Sequence, residues 1–362
     1  MHPAGWVGWV LAVMVVALAT TNPFYLAVLL LAVVLVAIVA PREGTGVVSF
    51  RALVTFGLVM FGLSLVIATI NGSYGDHILF TMPGPSVPEW LGGLRLGGPV
   101  SAEGLVGAAI RGLAIICILF AFGVFNGAVS PYRVLRSTPA ALFQASLVVT
   151  IGLTLLPSSV EDLRRVREMR ALRGAPGGLR QLPALVVPAI VGGLERSLRL
   201  AEAMEARGYG ASPPLPARAR LAALASAPLL IAAAWAWFYE PGWRPAALLM
   251  LAGALLLLAF WWRAANRARR VTRWDREPLP LAERLGLGLC AVVALAVLGQ
   301  RFTGHGAVAY NPFAGLALPG FEPLTALAAA ALAWPAVVIM ARPAAGTAPA
   351  EQDPRLAPET IR

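Results

Sequence analysis

The chain contains no lysine; all 29 of its basic residues are arginine. That absence excludes a phosphate-binding loop of the form GxxxxGK[ST], in which the lysine reaches the terminal phosphates. Any ATP hydrolysis linked to this protein would therefore belong to another polypeptide. Neither HExxH nor GxSxG occurs, and no pair of carboxylates lies deep in an apolar run. A zinc or serine membrane hydrolase and a proton relay thus lack sequence support. Only two cysteines are present, Cys117 and Cys290, both inside apolar runs and without metal-ligand spacing; they read as packing residues. No catalytic, cofactor-binding or metal-binding residue is expected.

Charge is scarce as well. With 13% charged and 58% hydrophobic residues and a mean hydropathy of +0.74 over 362 residues, a soluble fold is excluded and a polytopic membrane protein is indicated. Apolar runs of about 18 to 20 residues can cross a bilayer core. Eight are expected to do so: Trp6 to Thr20, Phe24 to Ala40, Val47 to Ile70, Gly112 to Val129, Leu221 to Tyr239, Pro245 to Trp262, Leu285 to Gly299 and Pro323 to Met340. The first two are short and are separated by the turn signal Thr21-Asn22-Pro23. Ala17-Leu18-Ala19 resembles a signal-cleavage site, but no basic residue precedes the run, so the segment is expected to be retained.

The arginines orient these spans. With a cytoplasmic N-terminus, and with the further apolar run from Ala140 to Pro157 not crossing, 25 arginines fall on the inner side. Arg95, Arg111, Arg244 and Arg301 stay outside; this is the asymmetry of the positive-inside rule. If Ala140 to Pro157 crossed, Arg133 and Arg136 would be parted from the arginine-rich stretch that follows. Both termini are thus expected in the cytoplasm, and Arg111 is expected to snorkel at the outer end of its span. A pI near 11.0 also suits nucleic-acid binding, but no basic patch interleaved with aromatics supports it. The partner surface read from charge is the lipid bilayer, with no nucleic acid.

Pro157 to Gly210 is the only strongly charged stretch between apolar segments, and it reads as two amphipathic helices. In the first, Ser158 and Glu161 have capping-box spacing. Glu161 and Asp162 lie toward the expected N-terminus and Arg164, Arg165, Arg167, Arg170 and Arg173 toward the C-terminus, as the helix dipole favours. Gly174 and Pro176 end it. Val160, Leu163, Val166, Met169 and Leu172 recur every third residue and so wind around a helix of 3.6 residues per turn. In the second, Val187, Val191, Leu194, Leu198 and Ala201 form one stripe, Glu195 and Arg199 form an i, i+4 pair, and Pro188 fits the first helical position. Both helices close on Arg-Gly: Leu172-Arg173-Gly174 and Ala206-Arg207-Gly208.

Two such ends, the second within AEAMEARGYG, resemble the transmembrane T component of energy-coupling factor (ECF) transporters, which are ABC-type importers. Leu172 stands where that family more often has Ala. The resemblance covers about Pro139 to Gly210 specifically and the apolar N-terminal part diffusely. It implies that Leu172, Arg173, Gly174, Ala206, Arg207 and Gly208 are docking motifs at the tips of coupling helices, received by grooves on two ABC ATPase subunits. It also implies a small membrane-embedded substrate-binding S component, and uptake of a vitamin or a transition-metal ion. Ala140 to Pro157 would belong to a cytoplasmic-side platform at the membrane interface.

The expected architecture is all-α, with about eight transmembrane helices and a coupling platform between the fourth and fifth. Its parts are residues 1–130 (membrane helices), 131–215 (coupling domain), 216–265 and 266–341 (further membrane helices) and 342–362 (a disordered tail), in a multi-pass protein of the cell membrane. A conventional ABC permease is the alternative, since Glu202-Ala203-Met204 and Gly208 have its loop spacing, although Arg218 stands where its signature requires Ile. A membrane enzyme or a scaffold without an ATPase is a third reading. In the loop from Asn71 to Arg111, Asp76, His77 and Glu89 have metal-ligand chemistry, but together with Glu103 they read as surface-solvating residues.

Overall fold

The computed structural model describes residues 1–41, 50–70, 75–83, 97–172, 182–209, 215–239, 241–268, 279–304 and 307–341. Arg173, Gly174, Glu89 and the tail 342–362 lie outside these residues. The chain is an all-α polytopic membrane protein. Its helices are α1 Pro3–Ala19, α2 Pro23–Val39, α3 Phe50–Ile70, α4 Ala102–Ala128, α5 Pro131–Arg136, α6 Phe143–Leu172, α7 Leu182–Ala206, α8 Ala217–Tyr239, α9 Arg244–Ala268, α10 Leu281–Thr303, α11 Pro323–Ala331 and α12 Trp334–Met340. Between α3 and α4 lies a two-stranded antiparallel ribbon of β1 Ile78–Met82 and β2 Gly98–Ser101.

Among the described residues six helices are long and apolar enough to cross a membrane, or seven if α11 and α12, bent by 49° at a break, form one span. The shorter α1 and α2 have 17 residues each, about 25 Å at 1.5 Å per residue. One of the six is a correction. Ala140 to Pro157 is not a separate segment bracketed by prolines, because α6 runs through Pro157 and on to Leu172.

The chain divides into two units, Met1–Val134 with Glu277–Arg362, and Leu135–Arg276. In the first, α10 and α11 are integral to the packing of α1 and α2. His2 N–H donates to the buried Glu283 carboxylate at 2.8 Å, at the start of both α1 and α10. Where those helices finish, Thr20 Oγ1 donates to Val308 O at 3.1 Å, and Thr21 Oγ1 donates to Tyr310 O at 2.9 Å. These two helices therefore run in the same direction. Helix α4 starts beside Pro312, near where they finish, and runs back, while α3 lies antiparallel to it, with Ser64 Oγ donating to Ala108 O at 3.0 Å. The chain thus leaves this unit after α4 at the end where α10 begins.

The turn Thr21-Asn22-Pro23 is where this unit is tied together. Asn22, 0% exposed, caps α2 by accepting from Phe24 N–H at 3.0 Å. Its Nδ2 donates to Ala307 O at 2.7 Å and to Gly320 O at 2.8 Å. The break between α11 and α12 has a local cause in Pro335, which removes a backbone donor and clashes with a continuing helix. Leu332 O, next to that break, accepts the buried Trp9 Nε1–H at 2.7 Å, so a polar group is satisfied where no water reaches it. Both cysteines pack as expected. Cys117 donates to Leu26 O at 3.5 Å, and Cys290 accepts from Trp334 Nε1–H at 3.1 Å.

The second unit contains α6, α7 and the hairpin of α8 and α9. Ala141 N–H donates to Asn266 Oδ1 at 2.9 Å, fixing the turn before α6 against the end of α9.

Candidate functional site

The charged helices are built differently from the sequence expectation at their starts. Ser158 does not cap a new helix. Its hydroxyl donates backwards to Leu155 O at 2.8 Å, and Ser159 donates to the same carbonyl at 2.9 Å. The chain enters Pro157 already helical, and the two hydroxyls donate locally in the turn where the proline lacks a backbone donor. Helix α7 likewise begins at Leu182, and Pro188 lies inside it. Each charged half therefore continues an apolar half of the same helix.

The end of α7 forms as expected. Gly208 has φ +73°, the left-handed conformation that glycine adopts without strain. Gly208 N–H donates to Glu205 O at 2.9 Å and Tyr209 N–H donates to Met204 O at 3.0 Å. This is the paired hydrogen bonding of a Schellman cap. The glycine thus accounts for the helix stop, and the Arg207 side chain stands exposed on a terminus that does not need it. On α6, Leu172 is the last helical residue and is 88% exposed. Arg173 and Gly174, the rest of that motif, lie outside the described residues.

The apolar stripe of α7 is present but not buried within this chain: Val187, Val191, Leu194 and Leu198 are all exposed. So are Val160, Leu163 and Met169 on α6. Glu195 and Arg199 pair at 3.5 Å, as their spacing predicts.

Arg196 is the residue that sequence reasoning missed. From α7 it donates through Nη1 to Ser158 Oγ at 2.9 Å and through Nη2 to the Asp162 carboxylate on α6. Two donors of one planar guanidinium thus grip successive turns of the other helix, a geometry that Lys would not reproduce. A signal for it exists in the chain. Glu161, Arg165, Glu168, Arg173 and Gly174 recur thirty-four positions later as Glu195, Arg199, Glu202, Arg207 and Gly208. Asp162 and Arg196 occupy the equivalent place with opposite charge, eleven residues before each motif arginine.

The two side chains are 37% and 41% exposed, so the pair's contribution to stability is small, about 0–1 kcal/mol for exposed pairs. Its expected effect is on geometry. Arg196→Ala should leave the melting temperature nearly unchanged but broaden the distance distribution between spin labels at Glu168→Cys and Glu202→Cys. The charge swap Arg196→Asp with Asp162→Arg should narrow it again. An unchanged distribution in Arg196→Ala would show that apolar contacts alone set the crossing.

The loop acidic residues divide. Asp76 and His77 are exposed as expected, whereas Glu103 is 2% exposed, which corrects its reading as a solvating residue. Its Oε1 accepts from His77 N–H at 3.1 Å and lies 2.7 Å from His77 Nδ1. Gly75 makes this closure possible, because a Cβ there would stand 2.3 Å from Glu103 Oε2. Among the described residues no group of three or more His, Cys, Asp or Glu is placed to hold a metal ion. Arg111 is exposed, as snorkelling requires.

No protein-family model matches the chain. Among curated proteins it is similar to the energy-coupling factor transporter transmembrane protein EcfT of Bacillus subtilis (strain 168), with 25% identity over 181 residues. The match covers 45% of this chain and 66% of that protein, a little under two thirds of its length.

Proposed function

We propose that this chain is the energy-coupling transmembrane subunit of an ECF-type ABC importer in the cell membrane. The observation that carries the reading is the exposed pair of amphipathic helices, one of them closing on a glycine-capped Arg-Gly end, in a membrane protein similar to EcfT. The chain itself would not hydrolyse ATP. Two ABC ATPase subunits would receive the ends Leu172-Arg173-Gly174 and Ala206-Arg207-Gly208, and α6 and α7 would carry ATP-driven motion into the membrane part. A small membrane-embedded S component would bind the vitamin or transition-metal ion.

The direction of the helices supports the sidedness this requires. Since α4 ends where α10 begins, the chain between them must cross an even number of times. The α8–α9 hairpin supplies two crossings, and α6 alone would make three. Helix α7 cannot supply a fourth, because its second half carries Glu195, Arg196, Arg199, Glu202 and Glu205, too polar to enter a bilayer core. Despite its length, α6 is therefore assigned to the inner face together with α7. Single cysteines at Ser137 and Ser159 should both be shielded from an impermeant thiol reagent added outside intact cells. Labelling of Ser159→Cys from outside would overturn the assignment.

Copurification in mild detergent, with a cognate ATPase pair coexpressed, tests the functional reading. A stable complex containing both ATPases and a small membrane protein is expected. ATPases accompanied by a soluble binding protein would instead favour a conventional permease, and a chain that purifies alone would remove the coupling assignment.

A further inference from the structure

The ribbon of β1 and β2 presents an apolar surface that neither the fold nor the coupling reading uses. Ile78, Leu79, Phe80 and Met82 are all exposed on β1. The direction of the ribbon follows from how β2 is fastened. At one end Ser101 Oγ caps α4 by accepting from Gly104 N–H at 3.2 Å. At the other, Gly97 N–H donates to Ile70 O, the last residue of α3, at 2.7 Å. Because α3 and α4 are antiparallel neighbours, these two helix ends stand at the same level. A four-residue strand, rising about 3.3 Å per residue, is thus slung across the helix ends and does not project from them. β1 pairs along it and is latched at its start, where Ala102 N–H donates to His77 O at 2.9 Å and Glu103 holds the His77 amide and ring.

We propose that this ribbon is an interfacial anchor, seating Ile78, Leu79, Phe80 and Met82 at the boundary between headgroups and acyl chains of the leaflet where α4 begins. Three observations select lipid as the occupant. The ribbon is fastened to Ile70, the last residue of α3, through Gly97, and α3 is exposed at Leu63, Val66, Ile67 and Ile70, a face that a membrane-spanning helix turns to lipid. Among the described residues no third strand pairs with the outer edge of β1, and backbone N–H and C=O groups on such an edge are satisfied by headgroups and water but not by hydrocarbon; this sets the depth at the interface. The register shift between Ile78 and Phe80 disrupts the regular edge that a strand from another chain would need.

Nitroxide labels at Phe80→Cys and, separately, Met82→Cys test this in phospholipid nanodiscs, where the buried native cysteines leave the introduced one to react. The ratio of collisions with oxygen to collisions with a water-soluble nickel chelate should be several-fold above that of a free nitroxide in water. It should also fall below that of a label at Leu63→Cys. A ratio equal to that of the free label would place the ribbon in water and overturn the proposal. Low collision rates with both reagents would show the side chains packed against protein, which also overturns it. Neither outcome depends on an ATPase being present, so the test stands apart from the coupling reading.

Discussion

Arg207→Ala is expected to leave expression and membrane insertion near wild type while weakening ATPase assembly or uncoupling hydrolysis from uptake. The end of α7 separates the two roles an Arg-Gly terminus can have. Gly208 supplies the left-handed residue, and the cap's hydrogen bonds come from the Gly208 and Tyr209 amides, so removing the Arg207 side chain leaves the cap in place. An arginine acting only on the helix dipole contributes about 0.3–1 kcal/mol. Breaking a desolvated charge contact at an interface costs about 2–5 kcal/mol, a loss of roughly thirtyfold or more in binding. The same substitution at Arg173, which lies outside the described residues, should act in the same direction and less severely, since its motif matches the ECF pattern less well. Arg165→Ala, outside both motifs, should be nearly silent. If all three variants assemble and transport alike, the Arg-Gly ends are helix stops and nothing more.

Asn22→Leu should be among the most damaging single changes in the unit formed by the two ends of the chain. It removes the acceptor for Phe24 N–H and the donor to two carbonyls, Ala307 O and Gly320 O, at a fully buried position. Each buried polar group left unpaired costs about 1–3 kcal/mol, so with three groups a loss on the order of 3–9 kcal/mol is expected. Asn22→Asp keeps the acceptor but sets a carboxylate against the two carbonyl oxygens at a buried position, and should be no milder. Thermal unfolding in detergent, followed by protection of the buried Cys117 and Cys290 from a thiol reagent, reads both. Wild-type protection in Asn22→Leu would mean that the contacts between the turn and residues 307–320 do not hold this unit together.

Much of the architecture is legible in the sequence because it rests on composition and short-range chemistry. Apolar runs mark the helices, Thr21-Asn22-Pro23 marks a turn, the i, i+4 spacing pairs Glu195 with Arg199, and Arg-Gly marks the end of α7. The expectations fail where a local stop signal meets a longer-range preference. Pro157 and Pro188 look like helix boundaries, but each follows residues already committed to a helix, and both are absorbed into it. Glu103 looks like a solvated loop residue, yet a glycine far from it in sequence closes the chain over its carboxylate. No periodicity could announce that α10 and α11 pack beside α1 and α2, since those contacts join residues nearly three hundred positions apart. Arg196 was hidden for a different reason: its partners lie on another helix, and only the thirty-four-residue recurrence of the charged pattern points to them.

Site-specific photo-crosslinking tests the coupling assignment most directly. A photoreactive amino acid replaces Tyr209, next to the capped Arg-Gly end of α7, or Phe80 on the β ribbon, in cells that coexpress the cognate ATPase pair. An ATPase adduct is expected from position 209, lost in the Arg207→Ala background, and none from position 80. Adducts from both positions, or none from position 209 in a complex that copurifies intact, would contradict the claim that the end of α7 docks on an ATPase.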